Sequence, residues 1–264
     1  MAIIDYMSAL PLGVLALLLN VWLMGFALGG MWVTRRYVMP WMKLSYDDAY
    51  FAAVVVQSVM LLYGLIAALT TVSVWQRYDQ VSAIVSAEAT AIASLWRDLG
   101  GYPEPLREET RAVLRGYTEQ VIQGAWPQQR RGEVPREGVE WMDRLEGKIF
   151  DFEPVTEAQK IADGEVIQAF NELVHQRRQR LDSVQAALPS VLWWVLLPGA
   201  MGCIVLALFF HSPNARLQAV MLVGLAGFLS MVLFVIIALD SPYSGDMGIP
   251  ADSYQLVIEH YMNR

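Results

Sequence analysis

The 264-residue sequence is short of cysteine, histidine and charge, and each shortage excludes something. One cysteine, Cys203, permits neither an intrachain disulfide nor a thiolate metal cluster, and so leaves the redox compartment open. The three histidines, His175, His211 and His260, fall in unrelated segments and read as exposed or interfacial polar residues. No His-Glu-x-x-His, phosphate-loop or dinucleotide glycine pattern occurs. A Ser or Cys nucleophile would have no base beside it, so the reading is of a non-enzyme with no cofactor and no metal. A net charge of −7 argues against nucleic acid as a partner, since counterion release needs clustered Lys and Arg that outweigh the local acids.

Charged residues are only 17% of the chain, where a soluble domain carries roughly a quarter, and 55% of residues are hydrophobic. The deficit is concentrated in four windows, about 12–33, 51–74, 191–210 and 217–239, none of which contains Asp, Glu, Lys or Arg. At 1.5 Å per residue each is long enough to cross about 30 Å of hydrocarbon. The first window is too long, and too poor in basic residues at its start, for a removable signal peptide, and is expected to be retained. The sequence therefore predicts an all-α membrane protein of the cell membrane. It has four transmembrane helices and a helical extramembrane domain between the second and third spans. Residues 1–74 form a first transmembrane hairpin, 75–190 the extramembrane domain, 191–239 a second hairpin and 240–264 an interfacial tail.

Basic residues do not orient it. Arg35, Arg36, Lys43 and Arg216 on the small-loop side balance Arg77, Arg177, Arg178 and Arg180 on the other. Taken alone, the first helix places the small loops in the cytoplasm.

Segment 75–190 carries 14 basic and 19 acidic residues, a net of −5, and lacks the alternating β-branched runs of strands. No Gly or Pro interrupts the chain between Gly64 and Gly100, so the second span is expected to continue beyond the lipid as one helix. On that extension Val81, Ile84, Val85, Glu88, Ile92, Leu95 and Leu99 share one face. Further helices are expected over about 106–125, closed by Pro127, over about 139–149, and from a Thr156/Gln159 capping box to Leu188. In the tail, Asp252 with Gln255 reads as a cap, and Tyr254, Val257, Ile258, Tyr261 and Met262 share a face that could lie on the membrane or pack on the soluble helices.

Several side chains stand out. Gly25 and Gly29 form a GxxxG in the first span, and Gly224 and Gly227, with Ser230, cluster in the fourth. Such residues let helices approach closely, within one subunit or between subunits. In the second span Gln57, Leu61, Gly64, Ala68 and Thr71 lie on one side, open to two readings, ordinary helix packing or a pore lining. Pro198, with Gly199, removes a donor from the third span and marks a kink or hinge. Glu88 and Arg180 each lie eleven residues outside a span, about 16 Å from the membrane, and a lone carboxylate on an apolar face requires a cation. A Glu88–Arg180 pair is expected, with Arg177 as the alternate. An Asp240–Arg77 bridge at the mouth of the bundle is a further expectation, set against a solvated turn over Ser241–Gly245.

Particular residues also carry a resemblance. They are Glu88-Ala89 with Leu95 and Arg97, Tyr117 ahead of Trp126-Pro127, and Arg180-Leu181. Leu188-Pro189 with Leu192-Trp193, and Leu239-Asp240-Ser241-Pro242-Tyr243 with Gly245, complete the set. Together they resemble the bestrophin-like family of four-span membrane proteins over nearly the whole chain. The resemblance implies a distant kinship to bestrophins, which are pentameric ion channels. It implies a homo-oligomer in the lipid bilayer, inorganic ions as partners, a cytoplasmic extramembrane domain and an ion path along the second span. The chain lacks a dense acidic tail cluster and an aromatic neck, so calcium gating and anion selectivity do not carry over. A non-conducting scaffold or sensor, whose helical domain binds a partner, is the alternative.

Overall fold

A computed structural model describes residues 11–42, 46–185, 187–210 and 214–263, and the side chains of all of these except 42 and 46–52. Lys43 and His211 lie outside the described residues. The described chain forms two compact units, one of residues 1–76 and 187–241, the other of residues 77–186 and 242–264.

The membrane unit contains four helices long and apolar enough to span a bilayer. Helix α1, Leu12–Val33, passes through a wide π turn at Thr34–Val38 into Met39–Met42. Its inward residues, Leu15, Leu19, Leu23 and Ala27, recur every four positions. Helix α2, Tyr46–Asp98, is a single element of 53 residues whose first half is the second span. Helices α6, Ser190–Leu208, and α7, Ala215–Asp240, complete the set, and α7 packs along α1. Asn214 caps α7 by accepting the Arg216 and Leu217 amides at 3.0 and 3.3 Å.

The second unit is helical among its described residues. Helix α3 covers Leu106–Gln120, α4 Gly138–Phe150 and α5 Glu157–Ser183. A short tail helix, α8, covers Asp252–Val257. Thr156 Oγ1 accepts the Gln159 amide at 3.2 Å while Gln159 Oε1 accepts the Thr156 amide at 3.1 Å, a reciprocal cap that starts α5. The core joins Val85, Ile92, Leu95, Leu114, Leu145 and Leu173, all buried, to Tyr243, Ile249 and Tyr254 from the tail. The tail therefore packs on the soluble helices.

Three boundaries differ from the sequence reading. Pro127 does not end α3. A π turn at Val121–Ala125 shifts the carbonyl ladder, so the missing proline N–H falls in the first turn of Trp126–Arg130, where no donor is needed. Helix α5 stops at Ser183 rather than Leu188, five residues short of the position that Pro189 itself restricts. Asp252 begins α8 from inside and Ala251 holds the cap position without a side-chain bond, so Asp252 is a helix residue and not a cap.

Candidate functional site

The side chain that burial makes most costly is Glu88, which is 0% exposed at the centre of the second unit. The face of α2 that carries it is apolar on both sides, Val81 and Val85 before it and Ile92 and Leu95 after it, so the helix itself offers its carboxylate nothing. Partners come from three other elements. Arg180, on α5 and 1% exposed, donates through Nε to Oε2 at 2.5 Å and through Nη2 to Oε1 at 3.2 Å. Tyr117, on α3, donates its hydroxyl to Oε1 at 2.6 Å, and Tyr254, on α8, donates to Oε2 at 3.1 Å. Each carboxylate oxygen thus receives two donors, which fills its lone-pair directions. Arg177, the alternate partner, instead lies beside Gly138 at the start of α4.

The electrostatics follow from burial. Burial pushes the Tyr117 phenol well above its ordinary range, and the adjoining Glu88 carboxylate pushes it further while Arg180 pulls it back in part. Tyr254 is raised by the same causes in the same order. Around Arg180, burial works against the charge, but Glu88 outweighs it, helped by Tyr254 and Tyr117, and the guanidinium is held well above its usual value. Arg180 Nη1 has no hydrogen-bond partner within the described protein. With its oxygens filled, Glu88 offers no opening to a ligand, and the cluster acts as a clamp on four helices.

A second tier ties the tail to this clamp. Ser183 Oγ donates to the Arg180 carbonyl at 2.7 Å and sits 2.8 Å from the Tyr243 hydroxyl. The Trp126 ring meets Tyr243 and Tyr254 edge-on, with centroids 5.6 and 5.5 Å apart, and its Nε1 donates to the Ile249 carbonyl at 3.2 Å. Gly245, at φ +70°, makes the turn that returns the chain, and the Ile249 amide closes it on the Pro242 carbonyl at 2.8 Å. Burial also raises the Tyr243 phenol, against the opposing effect of its Ser183 hydrogen bond. Of the two tyrosine donors to Glu88, Tyr254 reads in the sequence as a member of an apolar stripe and Tyr117 as one of the residues that carry the family resemblance; neither reads as a partner of the acid. The available signal is their amphipathic build, a ring for the core and a hydroxyl for a buried acid.

In the membrane unit the singled-out residues separate. Gly25, Gly29 and Gly224 are exposed, and a Cβ on any of them would meet nothing within 4 Å. Gly227 faces α1, where a Cβ would lie 3.0 Å from Met24 Cε. Gly199 is pressed on the Tyr63 ring, 2.6 Å from a Cβ there, and the Tyr63 hydroxyl donates to the Leu196 carbonyl at 3.1 Å, two residues before Pro198 on α6. Gln57 and Leu61 are exposed, Leu61 at 75%, whereas Gly64, Ala68 and Thr71 border a groove shared with α6 and α7. Asp240 Oδ1 accepts the Leu188 amide at 2.7 Å, fixing the entry to the third span. Among the described residues no group of three His, Cys, Asp or Glu could hold a metal ion.

Four apolar spans, with a helical extramembrane region between the second and third, define a multi-span integral membrane protein. The bestrophin-like domain matches residues 21–254, and the chain belongs to the bestrophin-like family. Two crystal structures share its fold, one of a bacterial bestrophin homolog from Klebsiella pneumoniae carrying a point mutation, the other of a membrane protein. Each aligns with a TM-score of 0.70 at 9% identity over 94% of this chain, and over 98% and 97% of the respective other chains. No curated protein matches. At that identity the likeness is one of fold.

Proposed function

We propose that this protein is a homo-oligomeric ion channel, a pentamer by family analogy, with its second spans around a common axis and its extramembrane domain in the cytoplasm. Gln57, Leu61, Gly64, Ala68 and Thr71 contribute the lining, and Pro198 with Gly199 supplies a hinge in the third span. Gly25 and Gly29 serve packing between copies, as does Gly224. The observation that supports this reading most is the face of α2 that the single chain leaves uncovered, Gln57 and Leu61 with Leu65 and Leu69 beside them. An uncharged lining makes the path weakly selective, or gated by dewetting at its apolar rings.

A scaffold whose helical domain binds a partner is the second reading. It draws on a cleft of about 530 Å³ between α2 and α5 lined by Asp98, Glu165 and Glu172. Purified protein should run in detergent as an oligomer and pass current in planar bilayers, with Leu61→Ser raising the current and Gln57→Glu shifting the reversal potential toward cations. A monomer that stays silent across ions and voltages would reject the channel in favour of the scaffold.

A further inference from the structure

The connection ahead of α4, residues 128–136, carries three arginines, Arg130, Arg131 and Arg136, against one acid, Glu133, in a segment whose net charge is −5. All three arginines are exposed, and so is Val134 between them. The loop is nonetheless firmly built. The Arg131 and Gly132 amides donate to the Gln128 and Gln129 carbonyls at 2.9 Å, Gly132 turns the chain at φ +75°, and Pro135 is buried. Its two ends are joined where Gln128 Nε2 donates to Glu137 Oε2 at 3.0 Å. A loop fixed at this many points loses little freedom on meeting a ligand.

Hydrogen bonds within the same unit hold this loop close to the membrane surface. Arg77 is the first charge after the uncharged window 51–74, and Trp75 and Tyr78 flank it, the combination of rings and a cation found where a span meets water. The Tyr78 hydroxyl donates to the Met247 carbonyl at 2.9 Å, which sets the turn over residues 242–248 at the same level. That turn grips the loop. Ser244 Oγ donates to the Arg130 carbonyl at 2.7 Å, and Arg130 Nη2 to the Gly245 carbonyl at 3.4 Å. Gly245 follows Asp240, the last residue of α7, by five positions, so the chain keeps it within about 18 Å of the end of the fourth span.

Charge selects the partner. Arg131 meets Glu133 at 3.2 Å, a pair with both side chains more than half exposed, which holds little. Glu137 is taken up by the Gln120 and Gln128 amides. Among the described residues Arg130 and Arg136 form no ion pair, and Arg77 Nη1, screened from solvent, has no hydrogen-bond partner. At a membrane surface the abundant anion is the phosphodiester of a phospholipid, which a guanidinium meets with two parallel donors. We infer that Arg130 and Arg136 bind the headgroup phosphates of anionic phospholipids in the leaflet nearest the extramembrane unit, with Val134 set between them against the acyl boundary. Each arginine close to an anionic leaflet raises binding about five-fold. The contact stands whether or not the second spans conduct.

Hydrogen exchange of the full-length protein, read by mass spectrometry, provides the test. It is compared between nanodiscs of phosphatidylcholine alone and nanodiscs of equal parts phosphatidylcholine and phosphatidylglycerol. The amides of residues 131–134 and 136 should exchange several-fold more slowly in the anionic discs, with α4 unchanged. Arg130→Gln combined with Arg136→Gln should abolish the difference while the melting temperature holds, since both side chains are exposed, and lysine at both positions should restore most of it. If the double variant fails to fold, Arg136→Gln alone should reduce the difference in part. Inorganic phosphate added to the neutral discs should leave the exchange as it was. Equal exchange in the two kinds of disc would overturn the inference, and slowing by inorganic phosphate would replace the lipid with a soluble anion. Slow exchange in both discs that persists in detergent and relaxes on dilution would overturn it in favour of a contact between copies of the chain.

Discussion

Removing either member of the buried Glu88–Arg180 pair strands the other charge away from solvent, a loss of about 3–5 kcal/mol for a buried pair. Glu88→Gln and Arg180→Gln should each lower the unfolding free energy of the detergent-solubilised chain by that order. The double variant should cost less than their sum by about 0.5–3 kcal/mol; simple additivity would mean that the two do not couple. The phenols give a pH signature. Up to pH 10 both folded and unfolded chains keep the Tyr117 and Tyr254 protons; above it the unfolded phenols ionise while the folded ones, raised by burial and Glu88, do not. The unfolded chain then binds fewer protons, so stability is intact below pH 10 and falls as pH rises, by about 1.4 kcal/mol per pH unit for each phenol. Thermal melts from pH 8 to 12 check this, and Tyr117→Phe should flatten the slope. At this scale the sequence exposes the problem, an acid on an apolar face with a base at equal depth. It conceals the hydroxyls, because tyrosine satisfies an apolar stripe whether or not its oxygen is used.

Whole helices are more legible than their ends. The long α2 follows from the absence of Gly and Pro between Gly64 and Gly100, and a 3₁₀ turn at Leu99–Gly101 stops it. The start of α5 is legible too, because Thr156 and Gln159 satisfy each other's backbone without tertiary help. Thr156→Ala should therefore cost about 1 kcal/mol, seen as a lowered melting temperature, with Thr156→Ser close to the parent. The π turns at Thr34–Val38 and Val121–Ala125 leave no mark in composition, since they depend on how neighbouring helices seat their side chains. That is why Pro127 reads as a stop and is not one.

For the molecule as a whole, hydropathy discloses the four spans because each is an unbroken uncharged run, and charge density discloses the segment between them. The covering of the second span's open face is not legible, because an apolar residue looks the same against lipid, against another copy or beside an ion path. The tail is ambiguous for a related reason. Tyr254, Val257 and Met262 would suit a membrane surface as well as the core in which they are buried.

That placement imposes an order on biosynthesis. The extramembrane unit is made of two stretches, 77–186 and 242–264, and the ribosome delivers the second only after the third and fourth spans have been translated. Until Tyr254 arrives, Glu88 lacks one of its four bonds and Trp126 one of its two ring neighbours. The soluble core consequently matures after synthesis of the last span, and a nascent chain that stalled earlier would carry an incompletely quenched anion at its centre.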